Sequence, residues 1–439
     1  MSSSTKPYII TEYGGFVRGE QALDGYQCLK ESIFNDLELF ILANNSKTGT
    51  EAVELLSLSA RRGGHKIITA KNYVGVITMK DGTVIEILPK IYGNISKTDG
   101  KDEIEITKNI FHEMLRTLKD VPFKDFNASN LKTYRMNILE IFISMFASEV
   151  MVLVKQGLKS FYNTVEENER FLKGKLDVPQ NIRHNYIHKE RFYIRYDEWS
   201  VNRPENRLLK ATLHFLRKRT RDDRNRLTIS HLLTFFDGVD VSTDYDTDFS
   251  KCAADRGTSH YKKALLWCGI FLRGNSFTAF AGSEVATALL FPMEKIFESY
   301  VAAKLRSVVP SGTELRTQDV RHSLFDRPAK KFKLRPDIVL TKGDDTIAVM
   351  DTKWKILKNT SNYGISQDDM YQMYAYGKKY NANKVILLYP QPASLRDTNI
   401  SFSSNDNVNV EVLFVDLLDL LRSNENVKTI MEKVHGQIN

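Results

Sequence analysis

Cysteine is scarce: Cys28, Cys252 and Cys268 are the only three in 439 residues. Odd in number and far apart, they suggest neither a disulfide framework nor a Cys-x-x-Cys zinc site, and a reducing cytoplasm suits them. The nine histidines show no His-Glu-x-x-His spacing, and His184 and His188 lie in a polar, basic run where surface side chains are expected. A phosphate-binding glycine loop is also missing. Gly100-Lys101, Gly174-Lys175 and Gly377-Lys378 lack the upstream glycine and the following Ser or Thr, so this chain should not hydrolyse nucleotide by itself. No helix-turn-helix, zinc finger or other nucleic-acid reader module is evident. The longest apolar stretch, Met136 to Val154, is broken by Glu140 and Glu149. A bilayer would tolerate those charges poorly, so a buried helix is expected and no membrane. The opening MSSSTKPYIITEYGG has neither a charged segment followed by an apolar block nor an amphipathic transit pattern, which points away from secretion.

What the chain does contain is a globular mixture, 42% hydrophobic and 26% charged, long enough for two or three domains with real cores. The formal net charge of +8 is compatible with a nucleic-acid partner without demanding one.

The expected fold is multidomain α+β. Residues 1–102 read as a β-rich N-terminal domain: a strand at Tyr8 to Ile10, a helix-like stretch from Tyr26 to Ala43, and a hairpin in His65 to Ile91 turning at Asp81-Gly82. Asn94 to Asp102 is polar and reads as a linker. Residues 103–282 read as mainly helical, with helices at Lys108 to Lys119, Met136 to Val154, Val201 to Arg219 and Ser259 to Phe271. Phe171 to Asp177 and Arg191 to Tyr196 read as shorter, extended pieces. Arginines and lysines crowd among aromatic residues here, a mixture that suits nucleic acid as well as it suits a solvated arm with ion pairs. Residues 283–439 read as an α/β domain.

Within that last segment, KFKLRPDIVLTKGDDTIAVMDTKWK (Lys331 to Lys355) concentrates the chemistry. Strands at Leu334 to Leu340 and Thr346 to Trp354 should form a hairpin centred on Asp344, placing Asp337 across from Asp351, with Lys353 on the same face as Asp351. Carboxylates at the end of apolar strands are costly unless paired or holding a metal, and two together suit Mg²⁺, with Mn²⁺ as the other candidate. A neighbouring lysine can position an attacking water or stabilise charge on phosphate. Pro336-Asp337 followed by Asp351-Thr352-Lys353 resembles the PD-(D/E)xK nuclease signature. Short motifs match by chance, and a solvated strand end with a surface ion pair would have the same letters. Flanking elements favour the nuclease reading. A helix over Pro292 to Val308 carries Glu294 and Glu298 on one face, of which Glu298 is the better candidate to join the acidic cluster. A helix over Gln367 to Tyr380 sets Gln372 and Tyr376 four apart as supporting residues. Strands follow at Lys384 to Tyr389 and Asn409 to Val415, then a short helix. Arg327, Lys330, Lys331, Lys333 and Arg335, just ahead of the first aspartate, are candidate DNA-binding residues.

Taken in order, EYGGFVRGEQ, VGVITMKDGTVIEILPKI, FLKGKLDVPQNIRHN, YDEWSVNRPENRLLK, FPMEKIFESYV, LRPDIVL and MDTKWK resemble the McrC family, the nuclease subunit of McrBC-type modification-dependent restriction systems, over nearly the whole chain. The resemblance implies a metal-dependent endonuclease with Asp337, Asp351 and Lys353 at its centre. It also implies an N-terminal region that docks on and stimulates an McrB-like AAA+ GTPase oligomer, with GTP bound by that partner, and double-stranded DNA carrying 5-methylcytosine-type modification as substrate. Two alternatives stand beside it. One is a non-catalytic assembly factor that activates the GTPase, disfavoured by the intact Asp-x-Lys pattern. The other is a stand-alone restriction endonuclease, disfavoured by the missing reader module.

Overall fold

The computed structural model describes residues 7–20, 23–45, 56–60, 65–79, 81–91, 103–118, 138–253, 260–273, 279–282, 286–395, 398–418 and 424–435. The expected linker at Asn94 to Asp102 lies outside them. The chain divides into two compact units, one of Met1–Ile138 with Asn275–Asn439, the other of Leu139–Gly274.

The first unit contains three main sheets among the described residues. A four-stranded sheet runs in the order Tyr26–Leu29, Gly15–Arg18, Lys66–Ala70, Leu56–Ala60, and a five-stranded one in the order Tyr8–Thr11, Val84–Leu88, Tyr73–Met79, Ala286–Pro292, Ala279–Gly282. Helix Glu31–Asn45 buries Phe34, Leu37, Phe40 and Ile41 with Phe16, Ile68, Ile77 and Ile87 of both sheets in one core. Tyr26 to Leu29, expected as the start of that helix, is instead a strand pairing in parallel with Gly15–Arg18, and the helix begins only at Glu31. The backbone groups of Tyr26 to Leu29 find their partners across the sheet, which outweighs local helical preference. The last two strands of the five-stranded sheet come from far along the sequence. Ala286–Pro292 pairs antiparallel with Tyr73–Met79, and Gly75 permits the close approach: at its φ of +148° a Cβ would lie 2.1 Å from the Leu289 carbonyl oxygen.

The third sheet has six strands, in the order Glu314–Thr317, Ile338–Lys342, Asp345–Thr352, Lys384–Pro390, Asn409–Val415, Ile400–Ser403. Its centre is parallel, Asp345–Thr352 beside Lys384–Pro390 beside Asn409–Val415, and these strands read as near-continuous apolar runs because both faces are covered. Helix Gln367–Tyr380 packs on one face, where Met373, Tyr376 and Tyr380 join Val339, Val349, Val385 and Leu387. It starts where expected because Ser366 caps it, Oγ accepting from the Asp369 N–H at 3.1 Å. It stops at Asn381, whose left-handed φ of 45° ends the run. Helix Met293–Arg306 follows directly from strand Ala286–Pro292, with Pro292 as its N-cap residue. The hairpin keeps the expected register, Ile338 opposite Met350 and Val339 opposite Val349, with an irregularity between Leu340 and Thr341 beside the turn. Its strands are shorter than expected, starting at Ile338 and ending at Thr352.

The second unit holds helices Pro204–Arg217, Asp223–Thr234, Tyr245–Ala253 and Lys262–Arg273, and the bulk of Ile138–Gln156. It also holds a three-stranded sheet, Phe161–Glu169, Phe192–Ser200 and Lys175–Leu176, so this stretch is less purely helical than its sequence suggests. Glu140, which breaks the longest apolar run, is 4% exposed. It accepts hydrogen bonds from the Thr220 hydroxyl at 2.6 Å and the Arg221 N–H at 2.7 Å, the pairing a buried carboxylate requires. Among the described residues no helix is long and apolar enough to cross a membrane. All three cysteines are free thiols.

Candidate active site

Strand Asp345–Thr352 delivers Asp351 at its C-terminal end, where parallel neighbours leave a crevice. Asp351 is buried, 3% exposed. Asp337 lies just ahead of the opposing strand and is partly buried. One of its oxygens, Oδ2, accepts from the Thr352 N–H at 2.8 Å and the Thr352 hydroxyl at 2.7 Å. Its other oxygen, Oδ1, accepts from Gln318 Nε2 at 3.0 Å. The same Gln318 amide donates to Glu298 Oε1, which ties helix Met293–Arg306 to the hairpin. Lys353 Nζ lies 2.8 Å from Asp351 Oδ2 and 3.4 Å from Asp369 Oδ1, and donates to Gln372 Oε1 at 3.0 Å. Gln372 Nε2 in turn donates to the Tyr376 hydroxyl at 2.7 Å.

Asp337, Asp351, Lys353, Glu298, Gln372 and Tyr376 are thereby brought together. Glu294 is not part of this hydrogen-bonded set. It lines the same cleft on the side of Tyr13 and Lys90, where its charge helps raise the Tyr13 hydroxyl pKa after burial and the charge of Glu12. Arg335 also lines the cleft. Arg327 and Lys330 are exposed in the preceding loop, and Lys331 and Lys333 are exposed on a short strand paired with Ser323–Phe325.

Electrostatically the site is overloaded with carboxylate. Burial, then the charge of Asp337, pushes Asp351 up. Burial likewise raises Asp337, held back by the two Thr352 hydrogen bonds and by Lys353. Glu298 is pushed up to about 7, first by burial and then by Asp337, with Asp351 adding to it. Burial opposes the charge on Lys353, but Asp351, Asp369 and Asp337 outweigh it and the ammonium pKa is raised. Burial, followed by Asp351, lifts the Tyr376 hydroxyl to about 12, so it stays neutral.

Asp337 and Asp351 offer oxygen donors only, and their strained charge is what a hard dication relieves. Among the described residues no trio of His, Cys, Asp and Glu forms a ready metal cage. The two aspartates suit an ion that keeps several waters, as Mg²⁺ does. The surrounding cleft has a volume of about 650 Å³.

Several contributors escape sequence reasoning. Gln318 carries no motif. Thr352 sits inside the Asp-x-Lys triplet, but its donation to Asp337 depends on hairpin register. Asp369 had a signal, lying three residues ahead of Gln372 on the same helix face. A cluster from the N-terminal sheets reaches the strand end as well. Trp354 Nε1 donates to Glu12 Oε1 at 3.1 Å and Oε2 at 2.8 Å. The Lys90 N–H donates to Glu12 Oε2 at 3.0 Å, and the Lys90 ammonium donates to the Trp354 carbonyl.

Fold and site together define a mixed α+β protein whose six-stranded sheet ends in a cleft lined by two neighbouring aspartates and a lysine. Residues 68–390 match the model of the McrBC 5-methylcytosine restriction system component family, and the chain belongs to that family as an McrC-type member. Among solved structures, it is similar to a chain of a refined half-complex from a tetradecameric assembly of Thermococcus gammatolerans McrB AAA+ hexamers with bound McrC. The TM-score is 0.70 at 19% identity, covering 98% of this chain and 100% of that one. A chain of the cryo-EM structure of the Thermococcus gammatolerans McrBC complex matches with a TM-score of 0.50 at 20% identity, covering 70% of this chain and 89% of that one. At such identities the likeness is one of fold. Comparison with the curated proteins found no match.

Proposed function

We propose that this chain is the endonuclease subunit of a GTP-dependent restriction complex acting on modified, 5-methylcytosine-type double-stranded DNA. Its C-terminal region would be a PD-(D/E)xK nuclease domain and its N-terminal region a docking arm for an McrB-like AAA+ GTPase oligomer, which binds the GTP. The observation that carries this reading is the pair of Asp337, partly buried, and Asp351, buried, with Lys353 held between Asp351 and Gln372. Family membership and the fold shared with a chain from an McrB–McrC assembly support the partner.

Asp337 and Asp351 would hold Mg²⁺, or Mn²⁺ in its place, which supplies Lewis-acid stabilisation of the phosphate and a more acidic water. Thr352 and Gln318 fix the orientation of Asp337. The Lys353 ammonium, 2.8 Å from Asp351, orients the attacking water and faces charge developing on the phosphate oxygens. Gln372 and Tyr376 keep the lysine from swinging out of the cleft, and Glu298 completes the acidic cluster.

The test is cleavage of methylated and unmethylated plasmid by this chain with an McrB-like GTPase, GTP and Mg²⁺. Asp351→Ala, and Asp337→Asn by loss of a ligand charge, should lower cleavage by about 100-fold or more, in line with removal of a group acting at the reaction centre, while GTPase stimulation survives. Cutting by Asp351→Ala at the wild-type rate would place the chemistry elsewhere and leave a GTPase-activating assembly factor. Cutting by this chain alone would favour a stand-alone endonuclease.

A further inference from the structure

A second trough, of about 770 Å³, runs along helix Met293–Arg306 and adjoins the aspartate cleft; Lys295, Glu298, Gln318 and Arg335 line both. Its charge is opposite in character to that of the two aspartates. Arg116, Lys295, Lys304, Arg306 and Arg335 face it, against the carboxylates of Glu113 and Glu298. Arg116 pairs with Glu113 at 2.9 Å, and Lys304 donates to Asn424 Oδ1 at 2.9 Å. Lys295, Arg306 and Arg335 are exposed. A cation in the last turn of a helix is commonly explained by the helix dipole. That accounts for Lys304 and Arg306, whereas Lys295 stands near the first turn and Arg335 lies outside any helix.

The spacing suits a polyanion that starts at the aspartates. Glu298 and Arg306 are eight residues apart on one helix, roughly 12 Å at 1.5 Å per residue. Along duplex DNA that is about three to four base-pair steps of 3.4 Å. We propose that this trough carries the phosphate backbone of duplex DNA three to four base pairs to one side of the reacting phosphate, with Lys295, Arg306 and Arg335 meeting its oxygens. This rests on the nuclease reading above and extends it by fixing the path of the substrate.

The experiment measures binding of a fluorescent DNA duplex to the full-length Asp351→Asn protein across a salt series without GTPase. Lys295→Ala/Arg306→Ala is compared with Lys342→Ala/Lys428→Ala, a matched loss of charge at exposed residues that line neither cavity. The trough double should bind more weakly at every salt concentration, with a log–log salt slope shallower by about two, one for each phosphate no longer neutralised. The matched double should keep the parental slope, and Lys295→Arg/Arg306→Lys should restore it. Thermal melts identify any variant that fails to fold, in which case each single alanine variant should lower the slope by about one. Equal losses in the two doubles, or no loss in the trough double, would overturn the proposal. Binding by this path in a wild-type chain that never cuts even with Mg²⁺, GTP and an McrB-like GTPase would uphold the trough and remove the nuclease reading.

Discussion

Glu298 illustrates how one side chain answers to groups that the sequence keeps far away. Its carboxyl is raised to about 7 by burial, by Asp337 and by Asp351, against about 4.3 in an unfolded chain. The folded state therefore holds this proton more tightly, so the stabilising contribution is complete below about pH 4 and fades as pH rises through 7. Asp351, also raised, acts in the same direction. Metal-free wild-type protein should consequently lose more melting temperature between pH 5.5 and pH 8 than Glu298→Gln does. Mg²⁺ should raise the melting temperature more at pH 8 than at pH 5.5, since binding displaces protons. Parallel melting curves for the two proteins would show that Glu298 does not titrate in this range. At this scale Asp337, Asp351 and Lys353 were legible, because a two-residue period and a symmetric turn place them together. Gln318 was not, because its role exists only where helix Met293–Arg306 meets the hairpin.

Elements explain why the site holds its shape. The span of helix Gln367–Tyr380 was readable in the sequence, and the helix supplies Asp369 and Gln372 to Lys353. What stands behind the strand end was not readable: Glu12 and Lys90, from the N-terminal region, grip Trp354, the residue after Lys353. Glu12 is 3% exposed and raised by burial, with Lys90 and Trp354 opposing, so it depends on those donors. Trp354→Phe keeps an aromatic ring and removes the N–H, leaving a buried carboxylate short of a partner. The expected cost is about 1–3 kcal/mol in urea denaturation, and an unchanged midpoint would mean that Lys90 alone satisfies Glu12. Strand Ala286–Pro292 was missed for a related reason: it lies just before a recognisable helix but pairs with Tyr73–Met79, about two hundred residues earlier in the chain, and no local pattern encodes that choice.

On the scale of the whole molecule, Leu139–Gly274 forms a compact unit within one continuous segment. Its core, with Trp267 stacked on Phe271 at 5.6 Å between ring centroids and Glu140 satisfied by Thr220, Arg221 and Asn225, is internal to it. Expressed alone, 139–274 should show helical circular dichroism and a single cooperative thermal transition. A fragment without a melt would mean that the rest of the chain is required for its fold. The other unit is split in sequence, and its two pieces share a sheet.

The sequence by itself determined the alternation that builds the hairpin, the caps that bound helix Gln367–Tyr380, the carboxylates and lysine at the strand end, and the family resemblance that the family match upholds. These are local, encoded in residues a few positions apart. Only the tertiary structure decided that Gln318 bridges Glu298 and Asp337, that Glu12 and Lys90 hold Trp354, and that strand Ala286–Pro292 completes an N-terminal sheet. Each of these joins groups distant in sequence whose partnership is set by burial: a polar group or strand edge removed from water must find a partner, and packing settles which one is in reach.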